Sequence, residues 1–248
     1  NTVRKHHANL HKCFNYAVRL RILSSNPAAM VELPPKRKYR GATAYTPEQL
    51  QLLLQLFEGD ELEPLIRLTV AYGFRRSEVC GLRWSEVDFQ RNSIHICHTA
   101  VLCNGKVLYT DSTKSVTSNR VLPLTPSMRS YLLELKKQQA DNESLLGDRY
   151  TKSGYVCVKR SGEPFSPDFI SHHFRRRLEH SDLPLIRFHD LRHSAVYALR
   201  KGGCDAKDIQ CWLGHSDVST TLNIYGHLLG NDMVRLGEVM EHTLFQSP

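Results

Sequence analysis

Three features that mark common protein classes are missing from this sequence of 248 residues. No apolar run approaches the roughly 18 residues that a membrane-spanning helix needs. The seven cysteines are scattered and none forms a C-x-x-C pair, so neither a zinc ribbon nor a disulfide framework is indicated. The chain begins with Asn1 and a basic, His-rich stretch instead of the apolar core of a signal peptide. We therefore expect a cytoplasmic protein of which this chain is a fragment that begins inside a longer sequence.

Acidic residues are scarce at one end of the chain. The whole sequence holds 33 Lys and Arg against 25 Asp and Glu, which gives a formal net charge of +8. Within residues 1–45 the only acid is Glu32, although nine of the cations lie there. A basic segment on a neutral body indicates a polyanionic partner, either nucleic acid or an anionic membrane surface. The length suits one large or two small domains, and 41% apolar residues suffice for a core.

The basic segment itself predicts a helix followed by a linker. Apolar side chains recur at helical spacing over residues 2–23, and Ser24-Ser25-Asn26-Pro27 stops the pattern. One helix cannot bury its own apolar stripe, so residues 1–33 are interpreted as the end of a helical domain. Paired prolines followed by Lys and Arg make residues 34–45 an extended basic linker.

The rest of the chain predicts a mainly α-helical domain with a small antiparallel β-sheet, an α+β fold. Thr46-Pro47, Thr125-Pro126 and Ser166-Pro167 each place a capping hydroxyl before a proline, which is typical of a helix start. Between residues 92 and 124 short apolar runs indicate about three strands. Further helices are expected at 62–72, 76–82, 189–201, 205–213, 217–228 and 231–244.

Two stretches place an arginine where it could bind a phosphate. Arg75 and Glu78 lie one helical turn apart, so the carboxylate can orient the guanidinium, although an ordinary surface ion pair explains the same spacing. His189, Arg192 and His193 share one helix face. Two histidines four residues apart could bind a metal, but Arg192 would repel a cation there, so an anion site is preferred. A purely structural role stays open for one of the two histidines, His193 above all.

Three more stretches carry reactive side chains. Each of these side chains, taken alone, has an ordinary structural explanation that needs no catalytic role. His215 follows a glycine in a loop between two predicted helices, where a histidine is usually solvated. Tyr225 lies near a helix end, where tyrosine most often packs in the core. Lys114 lies between Thr113 and Ser115 in the turn before the last strand, which also holds Arg120.

Taken together and in this order, the five stretches resemble the tyrosine recombinase (phage integrase) family, across essentially all of residues 45–230. The family's first catalytic arginine lies in a G-[LM]-R-x-S-E type box, which Gly73 to Glu78 match. Its T-K-[TS] turn, H-x-L-R-H box, L-G-H box and tyrosine are matched in the same order. The resemblance implies these catalytic residues: Arg75, Lys114, His189, Arg192, His215 and the nucleophile Tyr225. It gives Glu78 and His193 supporting roles.

The resemblance also implies an activity, a set of partners and a domain order. The activity would be strand cleavage and rejoining in site-specific recombination, through a 3′-phosphotyrosyl intermediate that needs no metal or nucleotide cofactor. The partners would be double-stranded attachment-site DNA, a homotetramer on that DNA, and an excisionase or host DNA-bending protein, in the bacterial cytoplasm and with no membrane. Residues 1–33 would end a helical core-binding domain, residues 46–230 would form the catalytic domain and residues 231–248 a tail that contacts a neighbouring protomer. The DNA-binding cations would be Arg4, Lys5, Lys12, Arg19, Lys36, Arg37, Lys38 and Arg40.

Three other functions compete with this interpretation. A non-catalytic architectural DNA-binding module would have no reason to keep all six catalytic residues. A type IB topoisomerase shares the chemistry but acts as a monomer, whereas the amphipathic stretch after Tyr225 favours an assembly of protomers. A metallohydrolase built on His189 and His193 ranks last. A phage or conjugative-element integrase is favoured over a chromosome-resolution enzyme.

Overall fold

A computed structural model describes residues 2–35, 44–103, 106–110 and 119–214 of the chain. The chain divides into two compact units, residues 1–40 and 41–248. The predicted helices at 217–228 and 231–244 lie outside the described residues, as does most of the predicted linker. Within the described ranges, no helix has both the length and the apolar character to cross a membrane.

The first unit consists of α1 (Thr2–Arg19) and a short 3-10 helix, Pro27–Met30. The helix ends four residues earlier than the predicted 2–23. Arg21 adopts a left-handed conformation with φ of 57°, and the Ile22 amide then donates to the Ala17 carbonyl, which closes the helix before the Ser-Ser-Asn-Pro stop. None of the α1 residues is buried, and Val3 and Leu10 on its apolar stripe are exposed.

In the second unit, the three helices predicted from a capping hydroxyl and a proline begin at the predicted positions. The Thr46 hydroxyl accepts from the Gln49 amide and the Ser166 hydroxyl from the Phe169 amide, at 3.3 Å and 3.2 Å. Thr125 also precedes a helix, but its side chain makes no capping bond. Its described α-helices are α2 (Pro47–Leu56), α3 (Glu63–Tyr72), α4 (Arg76–Gly81), α5 (Pro126–Leu146), α6 (Pro167–Glu179), α7 (Asp190–Lys201) and α8 (Ala206–Leu213). Two short 3-10 helices among the described residues span Trp84–Glu86 and Gly147–Arg149.

The strands differ from the prediction of one sheet of about three strands. β1 (Val87–Asp88), β2 (Ser93–Ile96) and β5 (Arg120–Pro123) form an antiparallel sheet in the order β1-β2-β5. β3 (Thr99–Cys103) and β4 (Lys106–Thr110) pair as a separate hairpin. One of the predicted apolar runs between residues 92 and 124, Val107-Leu108, therefore lies in this hairpin and not in the predicted sheet, because a short apolar run does not specify its partner. The α+β class is confirmed.

Two glycines allow other elements to approach closely the C-terminal ends of α3 and α4. Gly73 ends α3 in a left-handed conformation with φ of 63°, and a Cβ there would lie 2.2 Å from Leu213 Cδ2. A Cβ on Gly81 would lie 2.7 Å from the Thr99 Cα. The end of α3 therefore packs against α8, and the end of α4 packs against β3. The turn between α3 and α4 thus lies against the last described helix.

Candidate active site

Arg75 and Glu78 are joined by hydrogen bonds at the start of α4, in an arrangement that we call a box: the carboxylate binds both the backbone amide and the guanidinium of the arginine three residues earlier. One Glu78 carboxylate oxygen accepts from the Arg75 backbone amide at 2.9 Å, and the other accepts from Arg75 Nη1 at 2.5 Å. The two bonds hold the arginine side chain against the first turn of its own helix. The predicted pairing of these residues is confirmed.

Two further arginines converge on the same carboxylate from distant parts of the chain. Arg120, at the start of β5, places Nη2 3.2 Å from Glu78 Oε2 and Nη1 3.4 Å from Oε1. Arg192, on α7, places Nη1 3.8 Å from Oε2. Glu78 is therefore the common anion of a cluster of three guanidiniums, which we call the arginine cluster: Arg75, Arg120 and Arg192.

The arginine cluster also binds the C-terminal end of α8. Each arginine donates to a different backbone carbonyl there: Arg120 Nε to Trp212 at 2.9 Å, Arg192 Nη2 to Leu213 at 2.6 Å and Arg75 Nη2 to Gly214 at 3.2 Å. Carbonyls at a helix C-terminus lack helical partners and carry partial negative charge, so cations stabilise that end. The cluster thereby fixes the backbone that leads directly into position 215.

Accessibility separates the three arginines. The Arg75 side chain is 33% exposed, whereas those of Arg120 and Arg192 are 7% and 2% exposed. Arg192 also donates through Nη1 to the Gly73 carbonyl at 2.6 Å. Arg75 is therefore the guanidinium through which solvent, or a ligand, reaches the cluster most directly.

The charges in the cluster do not balance. Burial raises the pKa of Glu78, but the guanidiniums of Arg120, Arg192 and Arg75 outweigh burial and hold it below its ordinary value. Burial, followed by repulsion from Arg75, lowers the pKa of Arg192 to about 9, so it stays protonated at neutral pH. Three positive charges then face one negative charge. The arrangement is chemically suited to receiving an additional anion.

His189 and His193 lie one turn apart beside this cluster. Their rings meet edge to face with centroids 5.3 Å apart. Partial burial and then the Arg192 guanidinium lower the pKa of His189, which keeps an exposed edge. Burial and then His189 lower the pKa of His193 to about 4. Both imidazoles are neutral at pH 7, so His189 can accept a proton there.

Among the described residues, the same pairing of a carboxylate with the amide and guanidinium of the arginine three positions earlier recurs at Arg83 and Arg187. The Glu86 carboxylate accepts from the backbone amide and the guanidinium of Arg83, at 2.8 Å and 2.7 Å. The Asp190 carboxylate does so with Arg187, at 2.9 Å and 3.0 Å. The Arg83 box begins a short 3-10 helix, Trp84–Glu86, and the Arg187 box lies in the turn that leads into α7. The box at Glu78 differs from the other two because Arg120 and Arg192 also lie against its carboxylate.

Several predicted site residues lie outside the described part of the chain. Lys114, His215 and Tyr225 lie outside the described residues, although Gly214, which directly precedes His215, lies at the cluster. The linker cations Lys36, Arg37, Lys38 and Arg40 are likewise outside. On α1, Lys5, Lys12 and Arg19 are exposed, and Arg4 donates to the Pro34 carbonyl at 2.6 Å and 3.0 Å.

Arg120 was assigned no role from the sequence. Its signal was present in the alternation of β5, because Arg120 and the buried Leu122 lie on the same face of the strand. Arg120 is also paired across the sheet with the buried Ile96. A charged residue on the inward face of a strand needs a buried partner. Nothing in the sequence, however, names that partner as Glu78, 42 residues earlier.

The model of the Phage integrase family matches residues 44–231, and the chain belongs to this family. Among individual relatives, it is 30% identical over 239 residues to the ICEBs1 integrase of Bacillus subtilis (strain 168), covering 95% of this chain. It is 25% identical over 232 residues to a tyrosine recombinase XerC-like protein of Caldanaerobacter subterraneus subsp. tengcongensis, covering 87% of this chain. The resemblance expected from the five stretches is confirmed.

Solved structures share the fold. The Tn1549 transposon integrase in complex with transposon right end DNA has a TM-score of 0.77 at 21% identity, over 97% of this chain and 78% of that one. A lambda integrase tetramer bound to a Holliday junction has a TM-score of 0.59 at 19% identity, over 87% and 57%. The chain spans 64% and 59% of the length of the two curated relatives.

The neutral state of His193 predicts an acid-sensitive fold. The residue is 8% exposed and its Nδ1 has no hydrogen-bond partner among the described residues. Its pKa is near 4 when folded and about 6.5 when unfolded, so the unfolded chain binds more protons between these values. Stability should therefore fall as the pH drops from about 6.5 to about 4, by on the order of 2 kcal/mol from this group.

Urea denaturation of wild type and His193→Gln across pH 4–7.5 measures this effect. The His193→Gln variant should lose less stability on acidification than wild type. His172→Gln, which removes an exposed histidine on α6, is the control and should follow wild type. An unchanged pH dependence in His193→Gln would mean that His193 is protonated freely in the folded protein.

Proposed function

We propose that this chain is the catalytic portion of a site-specific DNA recombinase of the integrase type, which cleaves and rejoins DNA through a 3′-phosphotyrosyl intermediate. The observation that carries the proposal is the arginine cluster on Glu78, with its excess of two positive charges. Family membership and the order of the sequence motifs support the same reaction. The chain spans 59% and 64% of the length of the two relatives, so their activity is carried over to it as a proposal.

The cluster suits the electrostatics of phosphoryl transfer. A phosphodiester is a monoanion, and attack by an oxygen nucleophile places a second negative charge on the phosphoryl group in the transition state. Arg75 and Arg192 would donate to the non-bridging oxygens, and His215 would donate a third hydrogen bond. Donors that Glu78 and backbone carbonyls already hold in place lose little freedom when the transition state forms.

The proton transfers fall to the remaining residues. The Tyr225 hydroxyl oxygen attacks phosphorus while the bond from phosphorus to the 5′ oxygen breaks. His189, neutral at pH 7, accepts or relays the tyrosine proton, and Lys114 supplies a proton to the departing 5′ oxygen. The new phosphotyrosyl bond conserves the energy of the broken phosphodiester, so religation by a 5′ hydroxyl requires neither metal nor nucleotide. His193 supports His189 through its edge-to-face contact.

The proposed partner is double-stranded DNA. The neighbouring Tn1549 integrase structure contains transposon right end DNA, which supports a DNA substrate here. Exposed Lys5, Lys12 and Arg19 would contact backbone phosphates, together with Arg4 and the linker cations, and this binding would weaken with salt. The ICEBs1 integrase relationship favours integration and excision of a mobile element, in the bacterial cytoplasm.

The proposed assembly is a tetramer on DNA. The lambda integrase structure is a tetramer at a Holliday junction, which supports an assembly of this kind. Residues 231–248 would form a tail that docks on a neighbouring protomer and couples cleavage by Tyr225 to assembly. An excisionase or a host DNA-bending protein would select the direction of recombination. Residues 1–33, 34–45 and 46–230 keep their proposed assignments as helical DNA-binding domain, linker and catalytic domain.

Two rival functions make different measurable claims. A type IB topoisomerase-like enzyme would relax supercoiled DNA of any sequence as a monomer, whereas a recombinase cleaves one site and does so within an assembly. An architectural module would bend or bind DNA and never become attached to it. The net positive cluster beside a neutral histidine favours chemistry, since plain phosphate binding needs no proton acceptor.

Replacing the nucleophile tests the proposal directly. Tyr225→Phe removes only the attacking oxygen, so it should abolish covalent attachment to DNA while half-site binding stays within about threefold of wild type. Denaturing gel electrophoresis of the protein with labelled nicked DNA measures the covalent product, and a gel shift measures binding. A covalent band that persists in Tyr225→Phe means that another residue is the nucleophile.

The repeated boxes supply a matched control for Arg75. Arg75→Lys keeps the positive charge but loses the two-pronged contact, and losing one transition-state donor typically slows a reaction by about a hundredfold. Arg83→Lys makes the same change in a box of the same local geometry that lacks the other two arginines. Single-turnover cleavage should therefore fall about a hundredfold in Arg75→Lys and stay within about threefold in Arg83→Lys. Equal rates in the two variants would reduce Arg75 to a structural cation.

A further inference from the structure

Arg120 is a buried cation for which neither the family motifs nor the proposed chemistry gives a role. Its side chain is 7% exposed at the start of β5. It contacts both oxygens of Glu78, donates to the Trp212 carbonyl at 2.9 Å, and lies 5.9 Å from the centre of the Phe74 ring. It therefore joins three separate parts of the fold: β5, the start of α4 and the end of α8.

Because Arg120 binds the Glu78 carboxylate, it affects which hydrogen-bond partners remain for Arg192. Its Nη2 lies 3.2 Å from Glu78 Oε2, whereas Arg192 Nη1 stays 3.8 Å from the same oxygen. That Arg192 nitrogen donates instead to the Gly73 carbonyl at 2.6 Å. If Arg120 were absent, the buried carboxylate would need a replacement donor, because an unsatisfied buried charge is strongly unfavourable. Arg75 already donates to this carboxylate at 2.5 Å, so Arg192, 3.8 Å away, is the remaining member of the cluster that could turn toward it.

The net charge around Glu78 also indicates that Arg120 matters for phosphate binding by Arg75 and Arg192. With Arg120, three guanidiniums and one carboxylate carry a net charge of +2. Without it the net charge is +1, and Arg75 and Arg192 would divide the carboxylate between them. A phosphoryl group that gains a second negative charge in the transition state is better matched by +2 than by +1.

We propose that Arg120 is a positioning residue of this active site. By satisfying the Glu78 carboxylate, it keeps the guanidiniums of Arg75 and Arg192 directed toward a phosphate, and its bond to the Trp212 carbonyl holds its own side chain in place. Its role rests on the proposed recombinase function, in which those two arginines bind the scissile phosphodiester. Arg120 itself does not contact the reacting group.

The test compares Arg120→Gln with Arg83→Gln in the full chain. Each variant removes one guanidinium from a buried carboxylate, Glu78 or Glu86, but only the first lies in the cluster. Arg120→Gln should slow single-turnover covalent attachment at least 30-fold, with half-site affinity within threefold and a melting temperature close to that of Arg83→Gln. Arg120→Lys, which keeps the charge but cannot reach Glu78 and Trp212 together, should fall between wild type and Arg120→Gln.

A double-mutant cycle identifies the route of the effect. If Arg120 acts through Glu78, Arg120→Gln combined with Glu78→Gln should be no slower than Glu78→Gln alone. Attachment rates within threefold of wild type in both Arg120 variants would overturn the proposal. So would losses that multiply in the double variant, or an Arg120→Gln loss that DNA affinity and melting temperature fully account for.

A readout without cleavage separates this inference from the proposed function. Inorganic phosphate should raise the melting temperature of wild type and Arg83→Gln more than that of Arg120→Gln, because the cluster has then lost one positive charge. If wild type never attaches to DNA but this difference is observed, the proposed function fails and the role of Arg120 in anion binding stands. An equal phosphate effect in all three proteins would contradict the role of Arg120.

Discussion

One buried carboxylate, that of Glu78, organises the candidate site. It accepts from the Arg75 amide and guanidinium within its own helix start and from Arg120 on β5. Arg192 on α7 lies 3.8 Å from the same carboxylate as an ion pair. A lone buried carboxylate would be strongly unfavourable, and three buried or half-buried guanidiniums would repel one another. Each group is tolerated because of the others. The excess positive charge that remains is the feature on which the proposed chemistry depends.

Backbone carbonyls at the end of α8 also bind the arginine cluster. The end of α8 offers three carbonyls in succession, and each accepts from a different member of the cluster. Gly73 permits this meeting, because any Cβ there would collide with Leu213. The site is therefore assembled where two helix C-termini meet a helix N-terminus, and the chain leaves that point at Gly214 toward His215 and Tyr225. The contacts that hold the end of α8 are therefore made by the same arginines that surround Glu78.

Local patterns in the sequence predicted most of the helices and the pairing of Arg75 with Glu78, because capping residues and one-turn spacings act over a few residues. The strand pairing was predicted less well: β3 with β4 forms its own hairpin, and two-residue β1 carries no recognisable pattern. Arg120 had no predicted role because its partner lies 42 residues away. The boxes at Arg83 and Arg187 show the same limit, since local spacing alone does not distinguish them from the box at Arg75.

The most direct test of this account is a crystal structure of Tyr225→Phe bound to its cleavage-site DNA. Non-bridging oxygens of the scissile phosphate should lie within hydrogen-bond distance of Arg75 and Arg192, and Arg120 should remain on Glu78 without touching the DNA. A scissile phosphate bound away from the cluster, or Glu78 separated from all three arginines in the complex, would contradict the account.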